Sequence, residues 1–365
     1  MRRSLTMTGA LAATAALLAP TAPALANGTH ARIEYRGQAI IPTGTTFEGT
    51  EVGGLSSITY DAKRGVFYTI SDDPRDTRYY SMRLRVADGA LTDGDVEFTG
   101  VTRLQAPGGG PYAATSIDPE GLTLTKDREL VVTSEGYANS LVDPFVRRYS
   151  LDGRFLGDLD VPQPFRPNAD HTRGVRQNLG FESAGVPDNG GFLFTGTENA
   201  LVQDGPAATL TDTSPARLLR YNLHTGRLDR QWVYVTDRVK EPSTVFSVNG
   251  LVELLPRNNE FLIAMERSFS VGAPGTGNSI KLYDVALPGA TNVNGVERLA
   301  DLRRVRPVNK RLLFDLDTLG IPLDNVEGLT SGPRLRDGRR SLVLVSDNNF
   351  TAGQFTQFLL FALDR

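Results

Sequence analysis

The sequence predicts an all-β chain folded as a single β-propeller of five four-stranded blades. Three observations predict it. A hairpin unit with a polar or acidic residue at each end recurs five times, and the units follow one another at steps of 62 to 78 residues. In addition, one strand-like segment at 32–42 (RIEYRGQAIIP) belongs to no unit of its own.

The unit is clearest at 324–350, DNVEGLTSGPRLRDGRRSLVLVSDNNF. It reads as an acidic turn at Glu327-Gly328, a short strand, a polar hairpin, a buried strand at 341–345 and a second acidic turn at Asp347-Asn348-Asn349. Antiparallel strands return to the end they started from, so Glu327 and Asp347 share one end of the hairpin. The other copies begin near residues 53, 119, 181 and 249. Their first key position is Gly53, Glu120, Glu182, Asn249 and Glu327; the second is Asp72, Glu135, Glu198, Glu266 and Asp347. Separations within a copy are 19, 15, 16, 17 and 20 residues, the variation falling in the connecting hairpin.

A third alternating run follows each copy, at 80–86, 145–150, 217–223, 280–286 and 355–363, and a fourth follows several, at 96–104, 155–161 and 228–235. Four strands per unit is the pattern of a propeller, with loops lengthening each unit beyond the usual ~40–50 residues. The last copy ends the chain at its third strand. The segment 32–42 therefore supplies the missing strand and closes the ring. The long interval 288–322 leaves room for a sixth, degenerate blade.

Residues 1–26 read as a signal peptide: MRRS gives a positive start, 5–18 an apolar run, and Ala24-Leu25-Ala26 a cleavage site. Secretion is expected, with 27–365 as the propeller domain. The apolar run is too short and too rich in alanine for a membrane anchor. There is no cysteine, which removes thiol nucleophiles, thiolate metal sites and disulfides. A net charge of −3 argues against a nucleic-acid partner. A monomer acting on a small molecule is the expectation.

In a propeller the innermost strand starts, and the second strand ends, on the same face. The key positions therefore form two concentric sets around one mouth: Glu120, Glu182 and Glu327 with Asn249, then Asp72, Glu135, Glu198, Glu266 and Asp347. Carboxylates gathered this closely repel unless a cation or arginines relieve them. Oxygen ligands without cysteine point to Ca²⁺, held by Asp72, Glu120, Glu135, Glu198, Glu266, Glu327 and Asp347. Ion pairing of the ring with arginines is the competing reading. Of the three histidines (His30, His171 and His224) only His171 approaches this face, and no Gly-x-Ser-x-Gly elbow exists, so triad catalysis is not expected. Metal-activated water with Glu182, Glu327 or Asp347 as base fits the residues present. Arg173, Arg176, Arg267 and Asn348 are the candidates for holding an anionic substrate. The glycines of 106–112 lack a following Gly-Lys-Ser/Thr, and read as a loop.

These motifs, Asp118-Pro119-Glu120-Gly121-Leu122, Arg173-Gly174-Val175-Arg176 leading to Glu182, Glu266-Arg267-Ser268, Asn325-Val326-Glu327-Gly328 and Ser346-Asp347-Asn348-Asn349-Phe350, together resemble the secreted bacterial family with esterase-like activity of phytase. The resemblance spans nearly all of 27–365. It implies a propeller and, through a more distant likeness to β-propeller phytases, a calcium-dependent phosphoric ester hydrolase. The chain departs from a uniform ring at Gly53 and Asn249, and it lacks dense lysine. A metal-dependent lactonase or carboxylic ester hydrolase, and a non-catalytic binding propeller with structural calcium, are the alternatives.

Overall fold

The computed structural model describes residues 32–273 and 277–364; the leader read at 1–26 lies outside them. Strand β1 (Ile33–Pro42) is followed by a small hairpin, β2 (Thr46–Phe47) and β3 (Thr50–Glu51). The first blade is β4 (Leu55–Asp61), β5 (Val66–Ser71), β6 (Arg78–Leu84) and β7 (Val96–Arg103). The second is β8 (Pro119–Leu124), β9 (Glu129–Ser134), β10 (Phe145–Ser150) and β11 (Phe155–Leu159). The third contains β12 (Phe192–Gly196), β13 (Pro215–Asn222) and β14 (Arg227–Val235). The fourth is β15 (Phe246–Pro256), β16 (Phe261–Val271), β17 (Asn278–Ala286) and β18 (Asn309–Asp315). The fifth is β19 (Asn325–Arg334), β20 (Arg340–Asp347) and β21 (Phe355–Leu363), and β1 lies on its outer edge, antiparallel to β21.

No single central core exists. Five apolar layers lie between successive blades, each built from alternate residues of two facing sheets. Tyr68, Ile70, Leu122 and Val132 join the first two blades, and Val131, Val146, Leu193 and Leu219 the next pair. Phe194, Trp232, Leu254 and Leu262 join the third to the fourth; Ile263, Met265, Leu342 and Leu344 join the fourth to the fifth. Ile58, Phe67, Val343 and Val345 complete the circle. Each blade thus buries its two faces against its neighbours, which lets one ring exceed the size of an ordinary single core.

The sixth blade considered for 288–322 is absent. Strand β18 is the outer strand of the fourth blade, and the loop before it covers the edge of the third. There the Val293 N–H donates to the Gln231 carbonyl and the Val308 N–H to the Val233 carbonyl, each at 2.9 Å, so the exposed edge of β14 is paired. The buried Arg217–Asp204 ion pair fixes the same loop, because Arg217 also donates to the carbonyls of Val296 and Glu297.

The third blade has no regular innermost strand. Residues 181–185 touch β12 and its flank only through single bridges at Phe181–Thr197 and Gly185–Phe194. The Ala184 N–H turns instead to the carboxyl of Glu253 at 3.2 Å. Glu253, on β15, plugs the propeller axis: its Oε2 meets the Ser57 hydroxyl at 2.6 Å, and its Oε1 also accepts from the Leu254 N–H at 2.9 Å. The Ser57 hydroxyl lies 3.4 Å from the Leu122 carbonyl and the carboxyl also accepts from the Leu329 N–H, so this one side chain and its partners tie together the inner segments of all five blades.

Candidate functional site

Extended chain places residues two apart on one face, and here that geometry brings carboxylates from several blades together at one mouth. Oxygens of Asp118, Glu120 and Glu135 lie within 4.8 Å of one another, as do those of Glu135, Glu182 and Glu198. The two groups share Glu135, which also accepts a hydrogen bond from the Gly180 N–H at 2.5 Å and is hydrogen-bonded to the Glu182 carboxyl. Among the described residues no cationic side chain forms an ion pair with Asp118, Glu120, Glu135 or Glu182. The second blade and Glu182 of the third therefore supply an oxygen-only, uncompensated part of the ring.

Asp72, Glu327 and Asp347 make up the other half. The Asn325 amide stands between the last two, its Nδ2 at 2.9 Å from Glu327 Oε1 and 3.4 Å from Asp347 Oδ2. Asp347 accepts a second bond from the Asn349 N–H at 2.7 Å. Asp72 Oδ1 is buried without a hydrogen-bond partner. The fourth blade inserts Arg267 between the two halves: its guanidinium donates to Asn325 Oδ1 at 2.7 Å and to Glu198 Oε1 at 3.2 Å, and lies 3.5 Å from Glu327 Oε1.

Burial dominates the titration of this ring. It pushes the carboxyls of Glu135 and Glu327 up to about 8, Glu198 to about 7, and Asp118 and Asp347 to about 6. Arg267 opposes the rise at Glu198 and Glu327. Asp72, Glu120 and Glu182 are driven well above the usual carboxylate range, first by burial and then by their neighbours' charges. Such a set accommodates protons or a cation, and the all-oxygen donors with an orphaned Asp72 oxygen suit a hard divalent ion.

The remaining candidates stand elsewhere. Glu266 is taken up by protein groups: it accepts from Tyr234 Oη at 2.6 Å, from the Asp237 N–H at 2.8 Å and from Asn249 Nδ2 at 3.0 Å, and it pairs with Lys310. Asn249 is accordingly a donor, its Nδ2 reaching Glu266 and the Asp237 carbonyl at 2.9 Å. Asn348 is fully buried, its Oδ1 accepting from the N–H groups of Gly54 and Phe350 at 3.1 Å each and its Nδ2 donating to Thr43 Oγ1 at 3.1 Å. That fastening explains the gap at Gly53, where a Cβ would lie 2.5 Å from Asn348 Oδ1 and against the Phe350 ring. Arg176 donates to the carbonyls of Ala200 and Gly205 and thus braces a loop, while Arg173 lies 3.4 Å from the Arg166 carbonyl. Arg267 is the one arginine of the three that enters the ring, and there it balances carboxylates.

Two residues escaped the sequence reading. Asp118 precedes Glu120 by two, a spacing that puts both on one face of an extended chain. Glu253 had one signal, a lone charge in the apolar run VNGLVELL.

The chain matches the sequence profile of the phytase-like family, described as esterase-like activity of phytase, over residues 50–350. It belongs to that family. No curated protein matches this phytase-like chain. Among solved structures, the endo-arabinase from Bacteroides thetaiotaomicron is 12% identical, with 91% of this chain and 98% of that one covered and a TM-score of 0.45. The α-L-arabinofuranosidase from Lactobacillus brevis is 13% identical, with 88% and 94% covered and a TM-score of 0.44. A member of the DUF4221 family from Bacteroides vulgatus is 9% identical, with 92% and 99% covered and a TM-score of 0.41. Membership of the phytase-like family supports a phytase- or esterase-like hydrolase and nothing finer.

Proposed function

We propose that this phytase-like protein is a secreted, calcium-dependent hydrolase of phosphate esters that works at the acidic mouth. The observation that carries the reading is the pair of overlapping carboxylate groups sharing Glu135, buried at Glu135, Glu182 and Glu198, half-buried at Asp118, and without an ion-pair partner among the described residues on every member but Glu198. Asp118, Glu120, Glu135, Glu182 and Glu198 would hold the cation, with Asp72 beside them. When bound, a divalent ion supplies charge that polarises a phosphoryl oxygen and lowers the pKa of water.

The chain's own groups on the opposite side divide the proton transfers. Asp347, titrating at about 6, is ionised at neutral pH and takes a proton from the attacking water. Glu327, held at about 8, carries a proton and delivers it to the leaving oxygen as the ester P–O bond breaks. Water oxygen thus ends on phosphorus, and the products are an alcohol and phosphate. Asn325, bridging both carboxyls, keeps them in register.

A second reading, hydrolysis of a carboxylic ester or lactone, is favoured by one observation. Arg176 and Arg267 are both committed to protein oxygens, so the mouth offers little to a polyphosphorylated anion. The test is phosphate release from phytate and from an aryl phosphate by the mature chain, with calcium and then with chelator. Calcium-dependent release that Glu327→Gln abolishes is the expected result. No release in either condition refutes the phosphatase, and calcium-dependent turnover of an ester panel would then establish the second reading.

A further inference from the structure

The fourth blade is taller than the others on the side of the mouth. In the first, second and fifth blades the second strand stops at or one residue before the key carboxylate: β5 ends at Ser71, β9 at Ser134 and β20 at Asp347. In the fourth blade the ladder continues past the Asn249–Ser268 pair through Val248–Phe269, Ser247–Ser270 and Phe246–Val271. Three further pairs at ~3.3 Å per residue raise a wall of roughly 10 Å beside the site.

The two faces of this wall differ. Directly opposed residues share a face and alternate residues repeat it, so Phe246, Val248, Gly250, Arg267, Phe269 and Val271 lie on one side. That side looks onto the site: Arg267 reaches Glu198, and a Cβ on Gly250 would lie 2.2 Å from Glu198 Oε1. The other side is covered. Ser268 Oγ accepts from the Lys240 N–H at 3.0 Å and Ser270 Oγ donates to the Glu241 carbonyl at 2.7 Å, while Ser243 and Thr244 bond to the carbonyls of Val271 and Gly272. Above Arg267 this face is wholly apolar, buried at Val248, half-buried at Phe269 and open among the described residues at its upper pair, Phe246 and Val271. Phe246 and Phe269 lie with ring centroids 6.3 Å apart, and Phe246 is 54% and Val271 39% exposed.

We propose that this face is the subsite for an apolar group of the substrate, so that the ester taken by the mouth is amphiphilic: a polar ester head at the carboxylates and a hydrocarbon or aryl part on Phe246, Val248, Phe269 and Val271. The apolar face is continuous with the ring, beginning at the level of Arg267, and is stitched rigidly behind. It rests on the hydrolase reading above for the position of the head. It also accounts for the scarcity of uncommitted arginine, since a substrate gripped by its apolar part needs fewer ionic contacts.

The test is binding, read by titration calorimetry on the calcium-loaded protein. The probes are two matched pairs below their micellar concentrations: octyl and ethyl phosphate, and octanoate and acetate. For the head group the mouth accepts, the longer probe is expected to bind at least tenfold more tightly. Phe246→Ser with Val271→Ser, both at exposed positions, is expected to reduce that gain to under threefold while leaving the short probe's affinity unchanged. No gain with chain length for either head group, or a gain that survives the double variant, overturns the proposal. A concentration-dependent dimer abolished by the same variant would assign the face to self-association and equally overturn it. Because the readout is affinity, a chain-length gain with no turnover of any ester would leave the subsite standing and remove the hydrolase reading alone.

Discussion

Replacing Glu253 by glutamine isolates one buried proton. The carboxyl lies on the propeller axis, and burial holds it up to about 8, offset only in part by its bonds to Ser57, Leu254, Ala184 and Leu329. None of these partners is an acid or a base in the physiological range. At neutral pH the group is the neutral acid, its Oε2 hydrogen-bonded to the Ser57 hydroxyl. A glutamine amide reproduces that pattern, with Nε2 donating to Ser57 and Oε1 accepting from Ala184 and Leu254, so at pH 6 the variant should lie within about 1 kcal/mol of the parent. In the unfolded chain the glutamate titrates near 4.3. Its folded-state pKa is raised, so the folded protein binds more protons than the unfolded one between those values. The stability it contributes is complete below the unfolded pKa and is lost as pH rises to the folded pKa. At about 1.4 kcal/mol per pH unit, tapering near the folded pKa, the parent loses about 2.7 kcal/mol between pH 6 and 9 through this group, whereas the glutamine variant loses none. Urea denaturation at pH 6 and pH 9 in excess calcium measures the difference, the other carboxyls cancelling between the two proteins. Equal pH dependence in parent and variant would refute the assignment of a proton to the axis. Glu253→Ala should instead cost about 3 kcal/mol or more at pH 6 and correspondingly less at pH 9, because the Ala184, Leu254 and Leu329 N–H groups lose their acceptor.

Three other expectations follow from the ring. Calcium at a hundred times its dissociation constant should stabilise the protein by about 2.7 kcal/mol, seen as a rise in Tm that chelator reverses; Glu135→Gln, which touches both carboxylate groups, should remove most of the rise, and an unchanged rise would place the ion elsewhere. Because burial raises the carboxyls of Glu135, Glu198 and Glu327 to about 7–8, metal-free protein should lose stability from pH 6 to 8 while calcium affinity climbs over the same interval; calorimetry in buffers of different ionisation enthalpy would detect the released protons, and proton-free binding would contradict the shifts. Arg267→Met leaves Glu198 buried without its cation and should cost about 3–5 kcal/mol in chelator and less in calcium; an equal loss under both conditions in a denaturation experiment would show that the ion does not reach that side.

Reading the chain residue by residue, the hairpin unit was legible because its two features are local. Apolar alternation marks each strand, and a polar turn marks each return, so the third strands at 145–150 and 355–363 coincide with Phe145–Ser150 and Phe355–Leu363. The irregular inner segment of the third blade was not legible, since it depends on Ala184 finding Glu253 from another blade. Glu266 and Asn348 carry the same motif positions as Glu135 and Asp347's neighbours, yet Lys310, Tyr234 and Thr43, distant in sequence, claim their polar atoms. No spacing rule reports a partner 44 or 305 residues away.

By itself the sequence determined the repeat and the gathering of acidic residues at one mouth, because period and hydrophobic alternation act within a few residues of each other, while the choice of five blades over six waited for the pairing of 288–322 with its neighbours. Only the tertiary structure decided which carboxylates stay without a cationic partner, which are consumed by lysine, tyrosine or amide groups, and that Glu253 closes the axis. Those outcomes depend on burial and on side chains arriving from other blades. Solvation and Coulomb forces act through space, and the order of residues along the chain does not encode them directly.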